Sequence, residues 1–157
     1  MKQIENKAPV IIGCDHGGYR LKGYIKEYLD SQGIPYTDIG CDSEEIVRYP
    51  LYAKEVAQRI LSGEFTRGIL ICSTGIGMSI AANRYPGIRA SAVSDYYTAM
   101  MTRQHNDSNV LCLGGKVLGE YAAINILEAW LDNPYIGGRH DISLGLIREI
   151  EEEIGQR

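Results

Sequence analysis

Five short apolar runs recur along the chain, and segments with helical spacing separate them. The runs are Val10 to Gly13, Tyr36 to Gly40, Gly68 to Cys72, Arg89 to Val93 and Val110 to Gly114. Between them Leu21, Ile25, Tyr28 and Leu29 repeat at the helical period, as do Tyr52, Val56, Ile60 and Leu61, and Ile124, Leu127, Ala129 and Leu131. Strands that alternate with helices predict an α/β fold, a parallel sheet with right-handed crossovers and helices on both faces. The ligand crevice of such a sheet is expected at the carboxyl ends of its strands, where helix N-termini and glycine turns converge. At 157 residues the chain is long enough for one domain with a continuous core, so residues 1–157 are read as a single unit. Beyond Trp130 the pattern changes to an irregular arm, Asp132-Asn-Pro-Tyr-Ile-Gly-Gly-Arg-His140, and then to an amphipathic segment, Leu144 to Ile154, with an acidic face. Residues 133–157 are expected to form an arm and helix that pack on a partner subunit.

Composition narrows the function classes. Apolar residues make up 45% and charged residues 23% of the chain, with no run of membrane-spanning length. A net charge of −4 argues against a nucleic-acid surface, which needs a positive field to release counterions. Met1 to Lys7 lack the apolar stretch of an export signal, so a cytoplasmic location is expected. Cysteines at 14, 41, 72 and 112 show no Cys-x-x-Cys spacing; in a reducing compartment they stay as thiols and hold no zinc. An anionic ligand would have to find positive charge gathered locally.

Three expected strand ends carry reactive side chains: Cys14-Asp-His-Gly-Gly18, Cys72-Ser-Thr-Gly-Ile-Gly77 and Ser94-Asp95. A cysteine closing a buried strand is often there for packing alone. The loop after Cys72 offers a second reading, because Gly75 and Gly77 at a helix start near Met78 can expose successive amides to an anion or a developing oxyanion. Donors of that kind favour a thiolate and make Cys72 usable as a base. Cys14 and Arg20 have the Cys-x5-Arg spacing of the small tyrosine phosphatases. Asp15 inside that loop would repel a phosphate dianion, and the chain lacks an Asp-Pro pair to supply the acid. Asp15 and His16 read better as a pair that orients a sugar hydroxyl and contacts an anion, with a capping role for Asp15 as the alternative. His105 ends the helix that begins near Asp95, a place the helix dipole favours, and it could also reach over a sheet edge, even that of a neighbouring subunit. Lys116 and Arg139 follow glycine pairs; each is either a solvated side chain or a phosphate contact, the arginine with a bidentate fork.

Together, Asp15-His-Gly-Gly-Tyr-x-Leu-Lys22, Tyr49-Pro50, Gly68-Ile-Leu-Ile-Cys-x-Thr-Gly-Ile-Gly-Met-Ser-Ile-Ala-Ala-Asn83, Gly87-Ile-Arg-Ala90, His105-Asn-Asp-x-Asn-Val-Leu111 and Gly137-Gly-Arg-His140 resemble the B-type ribose-5-phosphate isomerases and the related galactose-6-phosphate isomerases. The resemblance runs from about Val10 to His140. It implies a Rossmann-like three-layer α/β/α sandwich with a five-stranded parallel sheet, a homodimer or dimer of dimers, and active sites built between two subunits. It also implies aldose–ketose isomerisation through a cis-enediolate, with no metal or other cofactor. On this resemblance Cys72 is the base between C2 and C1, Thr74 assists proton traffic, and Ser73, Gly75, Ile76 and Gly77 form the loop that holds the enediolate oxygen. His105 opens the furanose ring, Asp15 and Asn106 position hydroxyls, His16 and Arg139 contact phosphate, and Tyr49 lies among the substrate-binding residues. Lys116 stands where these enzymes commonly carry an arginine. Ser73 replaces a common glycine, and Ser143 occupies the place of a second phosphate-binding arginine, with Arg148 a candidate to compensate. Ribose 5-phosphate and ribulose 5-phosphate are the expected pair. Another sugar, phosphorylated or free, and a binding protein without turnover are the alternatives.

Overall fold

The computed structural model describes residues 7–155; Met1 to Asn6, read above for an export signal, and the last two residues lie outside it. Five strands form one sheet: β1 (Val10–Cys14), β2 (Tyr36–Asp38), β3 (Arg67–Cys72), β4 (Ala90–Ala92) and β5 (Val110–Gly114). Their order is β2-β1-β3-β5-β4, and every neighbouring pair is parallel, as the alternation of strand and helix required. Six α-helices connect and flank them: α1 (Tyr19–Gln32), α2 (Tyr49–Leu61), α3 (Ile76–Ala82), α4 (Tyr96–Asn106), α5 (Glu120–Asp132) and α6 (His140–Gly155). No helix among the described residues is long and apolar enough to cross a membrane.

Strand periodicity divides the core in two. Ile12, Cys14, Ile69, Ile71, Leu111 and Leu113 face one side, against Leu21, Ile25 and Leu29 of α1, Ala99 of α4 and Ile126, Leu127 and Trp130 of α5. Ile11, Leu70, Cys72, Val110 and Cys112 face the other, against Ala53, Val56 and Ile60 of α2 and Met78 and Ala82 of α3. Burial on both faces explains why the strands read as near-continuous apolar runs. Trp130 is fully buried, donates to Ser108 Oγ at 2.9 Å, and has the guanidinium groups of Arg67 and Arg103 at 5.6 and 6.0 Å from its ring centre. Trp130→Ala is expected to cost about 3–5 kcal/mol, read as a lower urea midpoint at unchanged slope.

Three boundaries differ from the sequence reading. The second strand ends at Asp38, although the Ile39 and Cys41 amides still donate to Ile12 O and Cys14 O; on the open edge the Asp38 carboxylate, held by Lys22 and Lys26, takes the Gly40 amide. The fourth shortens to Ala90–Ala92, since the Arg89 amide donates to Asn109 Oδ1 instead of to a ladder partner. The last helix begins at His140, four residues before Leu144. Gly137 and Gly138 both take left-handed backbone, with φ of 62° and 64°, and turn the chain so that the His140 amide donates to Gly137 O.

Candidate active site

The chain leaves β1 towards α1 on one face and β3 towards α3 on the other, so a crevice opens between the carboxyl ends of these adjacent strands. Cys72 closes β3 on the α2/α3 face, 5% exposed, and its Sγ accepts the Gly75 amide at 3.1 Å. Gly75 makes this possible: it adopts φ of 79° and passes so close to Cys112 and Leu113 that a Cβ would meet their backbone at 3.0–3.1 Å. Thr74 Oγ1 takes the Ile76 amide at 3.3 Å, and the first amide accepted within the helix is that of Ser79, by Gly75 O. The Gly77 and Met78 amides therefore stand at the open start of α3. Tyr49, the first residue of α2, lays its ring on Gly77, where an added Cβ would lie 2.9 Å from it. Behind Cys72, the fully buried Cys112 thiol is pushed far up by burial and by Cys72 beside it, so it stays protonated.

The turn after β1 forms the other wall. Asp15 is buried; its amide donates to Ile71 O, and its Oδ1 caps the turn His16–Gly18 by accepting the Gly17 amide at 2.9 Å. The capping role is thus present, with one carboxylate oxygen serving the turn. His16 Nδ1 accepts the Val47 amide at 3.3 Å, which leaves Nε2 to carry the proton of the neutral ring. Gly115 abuts the Gly17 carbonyl, its amide donates to Cys72 O, and the Lys116 amide donates to Ser73 O. Lys116 thereby stands beside Ser73 with its side chain exposed.

Asp15, His16, Tyr49, Cys72, Ser73, Thr74, Gly75, Ile76, Gly77 and Lys116 thus gather at one edge of the sheet. His105, Asn106 and Arg139 do not join them. A helix between parallel strands runs back along the sheet, so the end of α4 sits where β5 begins. The first and last residues of a five-residue strand are roughly 13 Å apart, which puts His105 and Cys72 at opposite edges. The arm keeps Arg139 at that far edge: the Ile136 amide donates to Gln104 O, Gln104 Nε2 donates to Asn133 Oδ1, and the His105 and His140 rings stack with centroids 4.3 Å apart. Arg148 lies about 140° round α6 from Ser143, in a cleft with Asp107, Asp141 and Glu151, and does not take that serine's direction. Cys14 is buried 3.6 Å from Cys41 Sγ, its thiol driven up by burial, and Arg20 is paired with Glu44; the phosphatase arrangement is absent.

The Val47 amide and the His140 ring escaped the sequence reading. No local signal marks the first. The second stood in the open within Gly137-Gly-Arg-His140.

The family model for ribose/galactose isomerases matches residues 10–147. The chain is 46% identical over 143 residues to ribose-5-phosphate isomerase B of Escherichia coli, covering 91% of this chain and 96% of that one. Among solved structures, ribose-5-phosphate isomerase B of Clostridium thermocellum superposes with a TM-score of 0.91 at 46% identity, covering 93% of this chain and 99% of that one. The enzyme of Mycoplasma genitalium with bound ribulose-5-phosphate gives 0.87 at 34% identity, covering 92% and 97%. With its sandwich fold, its glycine-bound cysteine loop and these similarities in view, the chain belongs to the ribose/galactose isomerase family.

Proposed function

We propose that this protein interconverts an aldose phosphate and a ketose phosphate, with ribose 5-phosphate and ribulose 5-phosphate as the pair, and that two copies of the chain build each site. The observation that carries the chemistry is the Cys72 sulfur at a strand end, with the Gly75 amide on it and unpaired helix-start amides beside it. The reaction moves one proton between C2 and C1 and one between the two oxygens, and it needs a base on carbon and donors where the oxyanion forms. Cys72 takes the C2 proton and returns it to C1 through a cis-enediolate. The loop from Ser73 to Gly77 holds the negative oxygen, and Thr74 relays the oxygen-bound proton. Asp15 and Asn106 orient hydroxyls, Tyr49 walls the sugar beside Gly77, and His105 protonates the ring oxygen to open the furanose. His16 through Nε2–H, Lys116 and Arg139 hold the phosphate.

Two observations support a homodimer. His105, Asn106 and Arg139 stand at the sheet edge opposite Cys72, so one chain cannot bring them to one substrate. Helix α6 also has no buried residue, while Ile142, Leu146, Ile147, Ile150 and Ile154 lie exposed along it, as expected of a helix that packs on a second copy. A dimer of dimers satisfies the same geometry, and the pattern fits a cytoplasmic enzyme.

The test is incubation in deuterium oxide with a panel of pentose, tetrose and hexose phosphates and the free sugars. Ribose 5-phosphate should be converted with deuterium entering at carbon and with the highest kcat/KM of the panel. A higher value for another sugar would reassign the substrate, the outcome that Ser143 and Lys116 would favour. Tight binding without exchange would leave a binding protein.

A further inference from the structure

We propose that His140 is a positioning residue for ring opening: its imidazole, stacked on that of His105, fixes the plane in which His105 delivers a proton to the furanose oxygen. The proposal rests on the assignment of ring opening to His105. His105 is the second-last residue of α4, and its ring makes no hydrogen bond among the described residues. An imidazole at a helix end can turn about two side-chain bonds, whereas general acid catalysis requires a fixed approach to the accepting atom. Here the neighbouring ring supplies the constraint, with centroids 4.3 Å apart and planes inclined by 15°.

The chain is built to hold that ring in place. Asp107 ends α4 in left-handed backbone and is gripped by Arg89 and Arg103, each at 3.0 Å. Arg103 also donates to Asn133 O, and the Gln104 carbonyl accepts the Ile136 amide, so the arm is tied to the last turn of α4 on both sides of Pro134. Gly137 and Gly138 then reverse the chain into α6, with Tyr135 Oη donating to Asp141 Oδ1 at 2.8 Å across the turn. His140 is thereby presented to His105 from a second element. Desolvation, with the charges of His105 and Arg139, holds His140 below the ordinary imidazole value, while Asp141 acts in the opposite sense. A neutral His140 can stack on His105 without repelling the proton that His105 carries.

The experiment separates ring opening from carbon chemistry. Ribose 5-phosphate is mainly a furanose, whereas ribulose 5-phosphate, with O5 esterified, cannot close such a ring. His140→Ala should lower kcat/KM for ribose 5-phosphate on the order of tenfold to a hundredfold. It should leave proton loss from C1 of ribulose 5-phosphate into deuterium oxide within about twofold of wild type, since that step needs the thiol but no ring opening. His140→Phe, which keeps a ring to stack but no titrating nitrogen, should recover most of the loss. The proposal is overturned if His140→Phe is as impaired as His140→Ala, or if C1 proton exchange of ribulose 5-phosphate falls as far as kcat/KM for ribose 5-phosphate. His105→Ala run in parallel guards the premise. If it shows no selective loss with the furanose, the assignment of His105 fails; if it does and His140→Ala does not, only the positioning role fails.

Discussion

Replacing Cys72 with alanine is expected to lower kcat/KM for the preferred sugar phosphate by roughly 10²–10⁴, the usual contribution of a positioned proton-transfer group. The loss should fall on kcat, because a base on carbon, the role proposed for this sulfur, acts at the carbon that reacts and not at the phosphate. Solvent deuterium uptake at C1 or C2 should vanish in proportion, and substrate should still raise the melting temperature of the variant, as any ligand of the folded state does. Retention of exchange to within tenfold of wild type would remove Cys72 from the base role. Cys112 cannot substitute for it: that thiol is fully buried and kept protonated by burial and by its neighbour. Serine at position 72 keeps the Gly75 contact but carries a far weaker acid than a thiol, so Cys72→Ser is expected to behave like the alanine variant.

What was legible in the sequence follows the range of the forces involved. Apolar runs such as Gly68 to Cys72 and the helical spacing of Leu21, Ile25 and Leu29 are local records of burial, so the parallel sheet and its two helical layers could be read directly. The order β2-β1-β3-β5-β4 leaves no such record, because parallel partners are chosen by long crossovers and not by adjacent turns. At the site, the Cys72 loop could be read from its glycines, whereas the close approach of Gly115 to Gly17 joins two strand ends far apart in sequence and was not read. The bond from the Val47 amide to His16 could not be read, since it joins residues 31 apart through a segment without periodic pattern. The second strand was read two residues too long, through Ile39 and Gly40, although the Ile39 and Cys41 amides still donate to Ile12 O and Cys14 O; on the open edge the Asp38 side chain takes the Gly40 amide. The role of Ser143 is readable only against a resemblance, because α6 has no buried residue to fix its surroundings.

Mixing two inactive variants is expected to restore activity. His105→Ala and Cys72→Ala each remove one of the proposed proton-transfer groups, at an expected cost of roughly 10²–10⁴ each with a furanose substrate. If each site takes Cys72 from one protomer and His105 from its partner, a dimer of the two variants contains one site with both defects and one with neither. Random pairing at equal amounts makes half of the dimers mixed, each with one intact site of two, so activity should recover to about a quarter of wild type. A site completed within one chain predicts no recovery, because every chain in the mixture lacks one group. The geometry favours recovery: α4 must run back along the sheet, and its end cannot reach the carboxyl edge of β3 without unthreading the ties from Arg103 and Gln104 to the arm. Extended β5 separates the two edges by roughly 13 Å, well beyond the hydrogen-bond reach that general acid catalysis demands of the group donating the proton. A two-fold axis that sets the amino edge of one sheet beside the carboxyl edge of the other would pair both sets of residues at once. It would cover the apolar stripe from Ile142 to Ile154 only if that stripe lies in the same contact, so Ile147→Glu should weaken the dimer and the recovered activity together.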